Sequence, residues 1–194
     1  MKDQTALIRC DWANRSALET SYHDRVWGVP LHDDLELFKM LMLESQQAGL
    51  SWSTILAKMD TLCEAYDNFD PHVLVKYGED KIEELLHHDG VIKNKLKIKA
   101  VIHNAHQYFK IVEQYGSLNE FFWSYVNHQP IINQWKSIAE VPGTTTLSDQ
   151  ISKDLKKLGF KFVGSTTVYA FMQSVGMVND HLVSCAFYNG PCTD

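Results

Sequence analysis

The chain of 194 residues has no apolar run long enough to cross a bilayer and no leader-like pattern at its start, so neither a membrane span nor a secretory signal is expected. It also lacks paired cysteine spacing. Cys10, Cys63, Cys185 and Cys192 form no such pattern, which argues against a disulfide framework and points to a reducing, cytoplasmic compartment. Positive charge is scarce too: a net charge of −6 weighs against a nucleic-acid binder that works through bulk electrostatics. Lysines nevertheless crowd into 93–99 and 153–161, which leaves room for a local basic face. Strand-like alternation, internal repeats and low-complexity stretches are absent. With 45% hydrophobic residues, the length suits one full core, and we expect a single domain over 1–194 and a monomer.

What is present is the pattern of helices. Asp33/Asp34 can cap a helix bearing Leu37, Met40, Leu41 and Leu43, and Ser51 another through Ile55, Leu56 and Met59. Asp70-Pro71 starts a third, with proline at the first helical position. Further helical patterns cover about 80–88, 93–115, 118–126, 148–158 and 165–175, and the segment 127–146, with its Pro and Gly signals, reads as an ordered connection. The fold class is all-α. Trp123 and Trp135 read as core, as does Cys63 in its apolar helical run. Cys192, in a polar tail, reads as inert.

Cys10 and His23 near one end, and His181-x-x-x-Cys185 near the other, make a set of two thiolates and two imidazoles. Such a set forms closed, tetrahedral, structural zinc sites with no position for water. At i and i+4 on a helix, His181 and Cys185 would project from one face. The Cys10/His23 spacing is unspecific by itself, so two buried cysteines with capping or surface histidines stand as the alternative.

Two helical hairpins follow from the turn signals. The first runs from Leu85 through Gly90-Val91-Ile92-Lys93-Asn94-Lys95 into a helix with Ile98, Val101 and Ile102. The second runs from Leu155 through Gly159-Phe160-Lys161-Phe162-Val163-Gly164 into Ser165-Thr166 and Val168 to Met172. Free backbone N–H groups where Gly164-Ser165-Thr166 opens a helix can hold a phosphate, with Lys161 adding charge. A glycine turn between two packed helices is the plainer reading.

Together these segments resemble the helix-hairpin-helix DNA glycosylases, and within them the DNA-3-methyladenine glycosylase I family. The resemblance rests on Cys10-Asp11-Trp12, Tyr22-His23-Asp24, Trp27-Gly28-Val29-Pro30, Leu43 to Trp52 (LESQQAGLSW), Trp123 to Pro130 (WSYVNHQP), Gly159 to Gly164 and Gly176-Met177-Val178-Asn179-Asp180-His181. It covers about residues 10–188. It implies zinc on Cys10, His23, His181 and Cys185, and DNA contact through Lys161, Gly164, Ser165 and Thr166.

The resemblance further implies a monofunctional enzyme that hydrolyses the N-glycosidic bond of 3-methyladenine in duplex DNA and releases the free base. Such an enzyme must take the damaged base out of the stack. Trp52 and Tyr22, with Trp12 and Trp27, are then the aromatic cage for a cationic base. Glu44 continues the stripe of Leu37 and Met40/Leu41, so it should point inward, where it would read the base as the catalytic carboxylate. Without the resemblance, an outward glutamate at a helix end is the usual case. Two departures bear on mechanism. Asn179 stands where many of the superfamily carry a catalytic Asp two residues before a His, which leaves Asp180 as a weak stand-in. The second hairpin also has four residues between Gly159 and Gly164, where one is usual. No lysine is placed for a Schiff base. A non-catalytic binder of alkylated DNA and a zinc hydrolase are the rival readings.

Overall fold

A computed structural model of the chain describes residues 7–190, so Cys192 lies outside the described residues. In chain order its helices are α1 (Ala17–Arg25), α2 (Asp34–Gln47), α3 (Trp52–Ala65), α4 (Pro71–Leu74), α5 (Glu79–His87), α6 (Lys95–Tyr115), α7 (Leu118–Trp123), α8 (Thr146–Lys157) and α9 (Ser165–Ser174). The expected caps hold these starts in place. Asp33 accepts from the N–H groups of Leu35 and Glu36, Ser51 from that of Thr54, and Asp70 from that of His72 ahead of Pro71. Each such cap contributes about 1 kcal/mol. No described helix is long and apolar enough to cross a membrane.

The structure departs from the sequence reading in three places. Helix α1 was not expected. The residues it buries are Glu19, Tyr22 and His23, so the apolar period that marks other helices is missing from it. A parallel pair, β1 (Ile131–Ile132) with β2 (Val178–Asn179), ties the connection 127–146 to the C-terminal segment. Two residues per strand are too few to show alternation. Finally, His181 and Cys185 do not lie on a helix. Their segment is a run of turns in which Asn179 Oδ1 accepts the His181 N–H (3.1 Å) and the sulfurs of Cys10 and Cys185 accept from Leu182 and Phe187. The chain here wraps around sulfur instead of closing i to i+4 backbone bonds.

Helix α2 runs through the centre. Leu37, Phe38, Leu41, Met42 and Leu43 are fully buried, and the helix packs on α3, α6, α7 and α9. Trp123 is fully buried, with its indole N–H donated to the Leu31 carbonyl at 2.8 Å. Trp135 is only half-buried and donates to Asp180. Cys63 is half-buried against the core.

The N- and C-terminal segments meet along a backbone seam. Gly28 N–H donates to the Gln173 carbonyl (3.0 Å) and Leu31 N–H to that of Val175 (3.1 Å). The seam continues at Gly176, where φ is +70° and an added Cβ would lie 2.5 Å from backbone atoms of Val29 and Pro30. Only glycine satisfies both conditions. Gly176→Ala should therefore destabilise the protein by on the order of 3 kcal/mol, read as a lower urea midpoint. A wild-type midpoint would show that the seam yields.

Candidate functional site

A cavity of about 410 Å³ opens between α1, the end of α2 and the start of α3. Trp12 reaches it from the turn at Asp11–Asn14, Tyr22 from α1, Trp27 from the chain just after α1, Glu44 from the last turn of α2 and Trp52 from the first of α3. The rings form a continuous wall. Tyr22 and Trp52 have centroids 5.1 Å apart at 50°, and Trp12 stands edge-on to Trp27 at 5.2 Å. Tyr22 and Trp27 are buried, and Trp12 and Trp52 are half-buried where they line the cavity.

Glu44 points inward and is 3% exposed. Its Oε2 has no hydrogen-bond partner among the described residues, and neither does the buried indole N–H of Trp52. Burial pushes the Glu44 carboxyl up to about 8, opposed by the hydroxyl of Ser174. Burial also raises the Tyr22 phenol well above its usual range, reinforced by Glu44 and opposed by Ser174. Burial thus favours the protonated form of Glu44, and a cation seated on the aromatic wall would favour its charged form.

Asp180 has the opposite surroundings. It is 1% exposed and accepts from Asn133 (2.7 Å), Trp135 (2.8 Å), Tyr169 (2.6 Å) and Gln173 (2.8 Å). Both oxygens are committed, and the residue does not line the cavity. Asn179 donates to the Tyr188 carbonyl and accepts the His181 N–H. The two residues brace the C-terminal segment.

Behind the aromatic wall lie Cys10, His23, His181 and Cys185, all buried, with one ligand atom of each within 4.8 Å of the others. They are close enough to hold a metal ion. Cys185 Sγ is 3.5 Å from His23 Nε2 and 3.6 Å from His181 Nδ1, and Cys10 Sγ is 3.9 Å from that same Nδ1. The two sulfurs act on each other in opposite senses: Cys10 holds the Cys185 thiol low, and Cys185 pushes that of Cys10 up. The far nitrogens also have partners. His23 Nδ1 meets Asp24 at 2.8 Å, and His181 Nε2 meets the Trp27 carbonyl at 3.1 Å.

The second hairpin joins α8 to α9. Gly164 precedes α9 with no side-chain cap on that helix, Ser165 shares a hydrogen bond with Ser148, and Thr166 and Lys161 are exposed. Its loop is clamped by buried Asn104 of α6, whose amide bonds both backbone groups of Lys161 (2.8 and 3.0 Å), and by Ser152 on the Val163 carbonyl. The two lysine runs differ. Lys93, Lys95 and Lys99 pair with Asp89, Glu83 and Glu79, and Lys97 is buried. Lys153, Lys156 and Lys161 have no ion pair among the described residues. Sequence reasoning passed over Lys97, whose ammonium donates to the carbonyls of Gln46 and Ala48 (both 2.6 Å) and caps the helix that carries Glu44. It also passed over Asn104. The signal for both was a polar residue on the stripe of Ile98, Val101 and Ala105.

The raised Glu44 carboxyl makes stability depend on pH. The unfolded chain releases this proton near 4.5 and the folded one near 8, so the folded state binds more protons in between and stability falls as pH rises through that window. The expected fall is on the order of a few kcal/mol. Glu44→Gln should abolish that component in urea melts at pH 5 and pH 8. Parallel losses in both proteins would show that Glu44 ionises as freely folded as unfolded.

The family model described as methyladenine glycosylase matches residues 12–189. DNA-3-methyladenine glycosylase 1 of Escherichia coli K12 is 44% identical over 182 residues, 94% of this chain and 97% of that protein. The DNA-3-methyladenine glycosylase of Haemophilus influenzae Rd is 42% identical over 177 residues, 91% of this chain and 96% of that one. Among solved structures, a tyrosine-to-phenylalanine variant of 3-methyladenine DNA glycosylase I in complex with 3-methyladenine superposes with a TM-score of 0.89 at 38% identity, over 92% of this chain and 96% of that one. With the family model spanning nearly its whole length, this chain belongs to the methyladenine glycosylase family.

Proposed function

We propose that the protein is a monofunctional DNA glycosylase that hydrolyses the N-glycosidic bond of 3-methyladenine in alkylated duplex DNA. The observation that carries this reading is the buried Glu44 carboxyl, one oxygen of which has no partner among the described residues, beside an aromatic wall. A neutral base gives that wall stacking alone, roughly 1–3 kcal/mol. A base alkylated at N3 is cationic, so it adds a cation–π term and an electrostatic partner for Glu44. Glu44 and Tyr22 then hold the edge of the flipped base, and Trp52 stacks on it.

The cationic base is already a good leaving group. As the bond to C1′ breaks, its electron pair goes to the base, which leaves neutral, while water adds its oxygen to C1′ and loses a proton. Binding the cation and straining the nucleotide supply the acceleration, in keeping with Asp180 being fully bonded. Among the described residues no lysine lines the cavity, which favours water over a Schiff base. The products are free 3-methyladenine and an abasic site. Lys161 and the N–H groups at Gly164, Ser165 and Thr166 take a backbone phosphate, with Lys153 and Lys156 beside them. We take the chain to act as a single glycosylase domain and a monomer in the cytoplasm.

We read the four-ligand cluster as a structural zinc site. Zinc–sulfur and zinc–nitrogen bonds of ordinary length separate tetrahedral ligand atoms by about 3.3–3.8 Å; the contacts of 3.5 and 3.6 Å fall within that range and that of 3.9 Å just beyond it, which supports the fit. Four protein ligands leave no position for a reacting water, so the metal's contribution is to fold the ends of the chain together.

Glu44→Gln should weaken binding of free 3-methyladenine and slow single-turnover excision, and Trp52→Ala should lose roughly 1–3 kcal/mol of base affinity. Wild-type affinity and rate in Glu44→Gln would remove the carboxyl from the mechanism. Base binding without release by the wild-type protein would identify a non-catalytic binder. Metal analysis of protein purified under reducing conditions should find one zinc per chain, and Cys185→Ala should lose metal and stability together. Metal-free, fully stable protein would rule out the zinc reading.

A further inference from the structure

The metal cluster holds two histidines whose remaining ring nitrogens face different partners. Asp24 Oδ1 lies 2.8 Å from His23 Nδ1. A carboxylate oxygen only accepts, so Nδ1 carries the proton and the lone pair of Nε2 is left for the cluster, 3.5 Å from Cys185 Sγ. The Trp27 carbonyl, also an acceptor only, lies 3.1 Å from His181 Nε2. There the proton sits on Nε2, and the lone pair of Nδ1 faces both sulfurs, at 3.6 and 3.9 Å.

Asp24 is itself held in place. Arg9 grips it with a two-pronged fork, Nε to Oδ1 at 2.9 Å and Nη2 to Oδ2 at 2.7 Å. The same guanidinium lies 5.9 Å from the centre of the Phe187 ring, which packs edge-on against His23. The fork therefore spans the N-terminal segment, α1 and the C-terminal segment. The side chains of Arg9 and Asp24 are 21% and 17% exposed, so the orientation of a buried ligand is set from near the surface.

We infer that Asp24, fixed by Arg9, is a positioning residue that selects Nε2 of His23 as a metal ligand, while the Trp27 carbonyl selects Nδ1 of His181, so that the two histidines bind through opposite ring nitrogens. This rests on the metal reading given above. It also ties that site to the pocket, because Tyr22 precedes His23 and Trp27 supplies both a cavity wall and the carbonyl that sets His181. Partners of this kind typically contribute 10- to 100-fold to metal affinity.

The test uses the intact protein loaded with cadmium-113 and labelled with nitrogen-15. Metal–proton couplings should place cadmium on Nε2 of His23 and Nδ1 of His181, a result that needs no variant. The same nitrogen on both rings, or the reverse assignment, would overturn the inference. In parallel, Asp24→Ala should lower zinc affinity roughly 10- to 100-fold against a competing chelator, with Asp24→Glu recovering part of the loss. Unchanged affinity in Asp24→Ala would also overturn it. If the wild-type protein bound neither zinc nor cadmium, the metal reading would fail and this inference with it. Metal binding with the wrong nitrogens would sink this inference alone.

Discussion

Residues 27–31 lie against residues 173–176 so closely that backbone donors on one side reach carbonyls on the other, and Gly176 leaves no room there for a side chain. The cavity depends on this apposition of chain ends. Trp12, Tyr22 and Trp27 belong to the N-terminal segment, whereas Glu44 and Trp52 come from helices anchored in the core. The seam, the Cys/His cluster and the bond from Ala186 N–H to the Ile8 carbonyl hold the first group against the second. An aromatic cage built from two parts of the chain needs such a closure, because its own ring contacts are worth only about a kcal/mol each.

Two buried carboxyls show how surroundings assign roles. Asp180 receives four donors and braces β2, α9 and the connection after β1. Glu44 has an oxygen with none. A buried, under-partnered carboxylate is costly, and burial accordingly shifts Glu44 toward its neutral form. The same logic separates the lysines. Lys93, Lys95 and Lys99 around the first hairpin pair with Asp89, Glu83 and Glu79 and Lys97 is buried under the end of α2, while around the second hairpin Lys157 pairs with Asp154 and Lys153, Lys156 and Lys161 face solvent without an ion pair among the described residues. Charge available for a phosphate backbone is thus concentrated on one hairpin although the chain as a whole is acidic.

Helix starts were legible in the sequence because caps and apolar periods are local. Asp33, Ser51 and Asp70 each act within three residues of themselves, and burial of Leu37 and Leu41 on one face is recorded directly in their spacing. The same stripe allowed the inward aim of Glu44, and family resemblance favoured it over the usual outward one. The residue types of the cage and of the cluster were also visible, though their assembly into one cavity and one four-ligand group was implied by family resemblance and not by spacing.

Pairings between polar groups far apart in the chain emerge only in the fold. Helix α1 left no apolar period because it buries Glu19, Tyr22 and His23 against other elements. His181 and Cys185 share i, i+4 spacing, yet turns wrapped around sulfur present them. Asp180 and Glu44 look alike in sequence and differ only in what surrounds them, as do the two lysine runs. Local patterning was enough for most of the helices and for the kinds of side chain available to the site. Tertiary structure determined which charges are compensated, because hydrogen-bond and ion partners are set by proximity in the fold, and local periodicity carries no record of it.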